Sequence, residues 1–135
     1  MANSNAIATV TIQDQDLITS TFPVLAQRVL ATVTFPSSNT VQFGGFINVV
    51  SAGFTALFTA QTVPFVYIRN ASTSSNSNLF LQLTPTGGVL FTMQLSPGAI
   101  FLWANPVATT ANSWGTISYA VTAGAPVPME YMYAF

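Results

Sequence analysis

LFLQLTPTGGVLFTMQL, residues 79–95, decides the fold. Leu79, Leu81 and Leu83 alternate with Phe80 and Gln82, and the alternation resumes beyond Thr84-Pro85-Thr86-Gly87-Gly88 at Val89, Phe91, Met93 and Leu95. A period of two is the repeat of a strand with one face in a core and the other turned outward. A spacer of Pro, Thr and Gly between two such runs is hairpin-loop chemistry. The segment therefore predicts two antiparallel strands and a tight reversal, and it holds neither helical spacing nor charge.

The same pattern extends both ways along the chain. Ala8, Val10 and Ile12 oppose Thr9 and Thr11, and Val29, Ala31, Val33 and Phe35 oppose Thr32 and Thr34. Toward the C-terminus Ile117, Tyr119 and Val121 alternate with Thr116, Ser118 and Ala120. Val127, Met129, Tyr131, Tyr133 and Phe135 then share a face, with Glu130 on the other. Residues 41–49, 54–60 and 65–69 predict three further strands, the first interrupted at Gly44-Gly45, where a bulge or corner is expected because glycine offers no packing side chain. Ile100–Trp103 is a continuous apolar run, the pattern of burial on both faces.

Ser96-Pro97-Gly98 and Gly124-Ala125-Pro126 are turn signals, and the Ser/Asn-rich residues 71–78 and the stretch from Asn105-Pro106 to about Asn112 predict exposed loops. Residues 16–30 hold room for one short helical turn at most, since Pro23 interrupts them. Nine or ten short strands with regular turn signals predict an all-β, single-domain antiparallel β-sandwich over 1–135, of jelly-roll type, with a short N-terminal arm at about 1–6. A small closed β-barrel is the second choice.

Charge is the other decisive property. Asp14, Asp16, Arg28, Arg69 and Glu130 are the only side chains with a formal charge, and there is no His, Lys or Cys. Phosphate recognition needs several cationic side chains, so two Arg exclude a nucleic-acid partner. The positive mean hydropathy does not make a membrane span, because Gly, Pro, Ser, Thr or Asn breaks every apolar run well short of about 20 residues. No basic segment followed by an apolar stretch opens the chain, so no signal peptide is expected.

Nucleophilic catalysis pairs Ser, Thr or Cys with a base, and neither His nor Lys is present to serve. Asp14-Gln15-Asp16 is the one carboxylate cluster. It lacks the further acidic ligands and the glycine of a calcium loop, and reads as a strand-end turn or cap. No catalytic residue, cofactor or metal is therefore expected, and the chain is predicted not to be an enzyme. Trp103, at the end of an apolar run, is expected in the core, whereas Trp114 beside a polar loop is the better exposed contact. Arg28 and Arg69 must each find a carboxylate or carbonyl partner, within the fold or across to a neighbour. Asn70-Ala71-Ser72 matches a glycosylation sequon and is read as incidental.

Outward-facing Thr keeps a sheet wet without charge. Monomeric proteins commonly hold charge on their surfaces and on their sheet edges. A chain that gives up both is expected to have its faces and edges covered by neighbours. Phe65-Val66-Tyr67-Ile68-Arg69-Asn70, the TPTGG hairpin at 84–88 and Leu95-Ser96-Pro97-Gly98 leading into Ala99–Trp103, together with Glu130-Tyr131-Met132-Tyr133, resemble a recurring pattern in small β-sandwich virion proteins of bacteriophages and viruses. The resemblance covers about half the chain. It implies a capsid, decoration, tail or fibre component located in the virion, with copies of itself and other virion proteins as partners. The contact residues expected on this reading are Arg28, Arg69, Asn70, Trp114, Tyr131, Tyr133 and Phe135, with the arm at 2–6 and the loop at 71–78. The alternative is a carbohydrate-binding sandwich that takes a host-surface glycan on Trp114 and nearby Asn side chains.

Overall fold

The computed structural model describes residues 6–13, 27–35, 42–59, 63, 65–105 and 113–134. Every regular element among them is a strand: β1 (Ala6–Gln13), β2 (Gln27–Phe35), β3 (Gln42–Val49), β4 (Thr55–Thr59), β5 (Phe65–Asn70), β6 (Leu79–Pro85), β7 (Phe91–Leu95), β8 (Ile100–Ala104), β9 (Trp114–Val121) and β10 (Val127–Ala134). Residues 27–30, where a helical turn had room to extend, belong to β2. The remainder of that segment, Asp14, Asp16, the arm at 2–5 and Phe135 lie outside the described residues.

The chain divides into two compact units, Met1–Asn39 and Thr40–Phe135. In the first, β1 and β2 form a two-stranded antiparallel sheet of their own, with a register shift between Val10 and Thr11. The second unit supplies both sheets of the sandwich, with strand orders β3-β10-β5-β8 and β4-β9-β6-β7. Its winding follows from the pairings. β6 pairs with β7, β5 with β8, β4 with β9 and β3 with β10, all antiparallel. That is one long hairpin of four strands against four, centred on the TPTGG turn. Pairing β10 with β5 and β9 with β6 rolls it up into two sheets. Eight strands wound in this way form a jelly roll. The sheets are separate, so the architecture is a sandwich and not a closed barrel.

Period two produces the core directly. Val66, Ile68, Val127, Met129 and Val49 point inward from one sheet, and Leu79, Leu81, Leu83, Leu95, Ile117, Val121 and Phe58 from the other. The turns agree with their sequence signals. Ala99 N donates to Ser96 O at 2.9 Å, with Pro97 presetting the first central position and Gly98 at φ +80° in the second. Gly88 N donates to Pro85 O at 3.0 Å, with Gly87 at φ +70°.

Two expectations are overturned. Gly44-Gly45 makes neither bulge nor corner, because β3 pairs with β10 without interruption from Gln42↔Ala134 to Val49↔Val127. The glycines serve close approach instead. Gly45 lies opposite Tyr131, whose hydroxyl would sit 3.7 Å from an added Cβ, and a Cβ on Gly44 would meet the Tyr131 carbonyl oxygen at 3.2 Å. The apolar run at β8 is not buried on both faces either. β8 is an edge strand whose Phe101 and Trp103 pack against the core while Ile100 and Leu102 are exposed.

Candidate functional site

The two outer faces of the sandwich differ in chemistry. On the β4-β9-β6-β7 sheet, Thr59, Thr116 and Thr84 stand in one cross-strand row, and Ala56, Ser118, Gln82 and Thr92 in another. This face is uncharged but not evenly wet as the alternation predicts: Ala56, Thr59 and Thr92 are exposed at its edges, whereas Ser118 is buried, as is Ala120 in the next row beside Phe80 and Gln94.

The other face carries all the side-chain charge of the second unit. Strand register places Phe46, Glu130, Arg69 and Ile100 side by side across β3, β10, β5 and β8. The next row along is Gly44, Met132, Tyr67 and Leu102. Arg69 Nη1 lies 3.7 Å from Glu130 Oε2, with both side chains partly exposed at 46% and 33%. Tyr67 donates its hydroxyl to the same Glu130 oxygen at 3.1 Å. Burial first, and then this bond to a carboxylate, push the Tyr67 phenol above its ordinary value of 10.0. Apolar side chains flank the pair: Phe46 is 72% exposed, Ile100 54%, Met132 44% and Leu102 42%. The face is thus an apolar surface with one internally neutralised charge pair at its centre.

The sheet edges share that character. The edge strands β3, β4, β7 and β8 read QFGGFINV, TALFT, FTMQL and IFLWA, without one charged residue or proline among them. Charge and proline are the usual defences of an edge against pairing with another chain. β4, β7 and β8 are only five residues long, which is itself a defence, whereas β3 offers eight.

The remaining expected contact residues are distributed otherwise. Asn70 is fully buried. Its Nδ2 donates to Ser77 O at 2.7 Å and Leu95 O at 2.9 Å, and its Oδ1 accepts from Ser72 N at 3.0 Å, so it fastens the 71–78 loop to the end of β7. A side chain so engaged belongs to the fold, and the sequon it opens is closed to modification in the folded chain. Tyr131 and Tyr133 pack against the core from β10, an interior strand between β3 and β5, so that this part of the tail closes the sheet. Trp114 is half-buried in an aromatic cluster with Trp103 at 5.4 Å, Phe91 at 5.9 Å and Phe101 at 6.1 Å between ring centroids. The indole nitrogens of Trp103 and Trp114 are buried without a hydrogen-bond acceptor. Arg28 lies in β2 of the first unit, opposite Ile12. Among the described residues no group of three His, Cys, Asp or Glu could hold a metal, and no helix is long and apolar enough to cross a membrane.

Sequence reasoning singled out Arg69 but missed its partner and its surroundings. Glu130 is 61 residues away, and only the β5–β10 register makes the two neighbours.

The fold and this face define an antiparallel jelly-roll sandwich with one apolar outer surface. No family model and no curated relative matches the chain. A solved structure from work on Bacillus endospore appendages, described as forming a family of disulfide-linked pili, is similar in fold, with a TM-score of 0.46 and 14% identity over 79% of this chain and 96% of that one.

Proposed function

We propose that this chain is a non-enzymatic structural subunit that assembles with copies of itself through uncharged surfaces, as a component of a virus or phage particle. The observation that carries the reading is the pairing of an exposed apolar sheet face with four edge strands free of charge and proline. Burying such surface is favourable by about 25 cal/mol per Å² of apolar area. With a formal net charge of −1, copies repel one another little. Other virion proteins are the further partners that the bacteriophage-like sequence pattern suggests. The glycan-binding reading loses ground, because the Trp114 ring is already occupied by three aromatic neighbours.

Light scattering of the purified chain over a range of concentrations, at low and high salt, tests the proposal, with electron microscopy of the scattering species. A defined oligomer, closed shell or tube that responds little to salt is the expected result. A monomer that persists at high concentration overturns it, and saccharide binding by that monomer would put the carbohydrate-binding reading in its place.

A further inference from the structure

The apolar face has an order that goes beyond being apolar. Across β3, β10, β5 and β8 its central row reads Phe46, Glu130, Arg69, Ile100, that is apolar, acid, base, apolar. Reversed, the row reads apolar, base, acid, apolar, which is its own complement. We propose that this face binds the same face of a second copy about a two-fold axis running along the strands between the two sheets. The inference rests on the self-assembly reading above and names one contact within it.

The geometry follows from the row alone. Rotation about an axis along the strands reverses strand order and leaves each row facing itself. Arg69 then lies over Glu130 of the other copy, Glu130 over Arg69, and Phe46 and Ile100 over one another on both sides. The second row gains in the same way. Gly44, which has no side chain, comes to lie under Leu102, and Met132 under Tyr67. A two-fold axis across the strands would instead set Glu130 against Glu130 and Arg69 against Arg69, a like-charge contact that disfavours association. Docking on the Thr/Gln-rich sheet would cover the ion pair with a surface that offers no charge in return, leaving both ions desolvated without compensation.

The charges therefore choose the axis and the register, while Phe46, Ile100, Leu102 and Met132 supply the apolar burial. An interface made from one patch on both subunits and closed by a two-fold axis is the commonest kind among homo-oligomers. Aligned sheets packed in this way stand about 10 Å apart with their side chains interleaved.

The test is a charge swap read in trans, on the full chain. Sedimentation velocity is run on the wild-type chain, on R69E, on E130R and on an equimolar mixture of the two variants, with circular dichroism to establish that each is folded. Each variant alone faces like charge and is expected to weaken the contact by more than about tenfold. The mixture sets two acids over two bases and is expected to restore it. An ion pair that served only inside one subunit would give no rescue on mixing. Folded variants that associate like the wild type, or a mixture that does not recover, overturn the inference and leave self-assembly standing. A wild-type chain that never associates overturns self-assembly itself.

F46C/I100C keeps the charges and gives a second readout. A bismaleimide spanning about 8 Å should join two copies of the double variant, whereas in either single variant the two thiols lie on opposite flanks, about 14 Å apart sideways. An associating double variant that gives no cross-link also overturns the inference.

Discussion

Asn70 is the most deeply buried polar side chain among the described residues. Its amide answers two carbonyls, Ser77 O and Leu95 O, and its own carbonyl answers Ser72 N, while its backbone accepts from Gly98 N at 2.8 Å and donates to Ala99 O at 3.0 Å. Asn70→Ala would strip a partner from the buried Leu95 carbonyl, at about 1–3 kcal/mol, and from the part-buried Ser77 O and Ser72 N at less. Urea unfolding should show a loss of at least about 2 kcal/mol, and an unchanged midpoint would contradict that role. Two tyrosines give a signature in pH. Burial and the Glu130 bond raise the Tyr67 phenol, and burial followed by the charge of Tyr131 raises Tyr133. The folded chain holds both protons more tightly than the unfolded chain. The stability this contributes is full below pH 10, the unfolded value, and is lost as pH rises through the folded values. The urea midpoint should therefore hold level up to about pH 9 and fall above 10, less steeply in Tyr67→Phe. A midpoint level through pH 11 would refute the linkage.

At the scale of elements, the two glycines of β3 separate packing from propensity. Replacing Gly by Ala in a strand ordinarily gains about 0.5–1 kcal/mol through lost chain freedom in the unfolded state. At Gly45 the three atoms nearest the new Cβ all belong to the Tyr131 side chain, at 3.7–3.9 Å, which is ordinary contact, so Gly45→Ala should be neutral or stabilising. At Gly44 it meets the Tyr131 carbonyl oxygen at 3.2 Å, so backbone must yield and Gly44→Ala should melt lower. Equal melting temperatures would deny the close approach. The strands themselves were legible because period-two alternation is local: 79–95 fixed β6, the turn and β7 without reference to anything else. What alternation does not encode is which strand lies beside which. A run such as Ile100–Trp103 looks the same whether both faces are buried or, as here, an apolar edge strand shows one face to solvent. The candidate face was illegible for the same reason, since Arg69 and Glu130 meet only through the β5–β10 register. The sequence also shows Tyr131 and Tyr133 as an aromatic tail, and only strand order reveals that the tail is interior.

For the whole molecule the division into two units has a thermodynamic consequence. Among the residues whose burial is described, the apolar core of the sandwich, from Val49 to Met129, lies in Thr40–Phe135, as do both of its sheets. Among the described residues the first unit contributes β1 and β2, and a two-stranded hairpin by itself is marginal in water. Jelly-roll pairing is dominated by partners distant in sequence, since β3 meets β10 and β4 meets β9. The roll must then form as one cooperative event with its closing strand in place, because β10 is hydrogen-bonded on both sides. Two truncations follow from this. A chain reduced to residues 40–135 should keep the β-sheet circular dichroism of the full chain and melt in a single transition. Removing residues 131–135 instead takes half of β10 from between β3 and β5, and should abolish that transition rather than merely disperse an assembly. Native-state hydrogen exchange makes the comparison finer, with amides of β5, β6, β9 and β10 expected to exchange most slowly in both the full chain and the 40–135 fragment. A fragment that stays unfolded would make the N-terminal hairpin part of the folding unit. A folded chain lacking 131–135 would show that the roll closes without its interior strand.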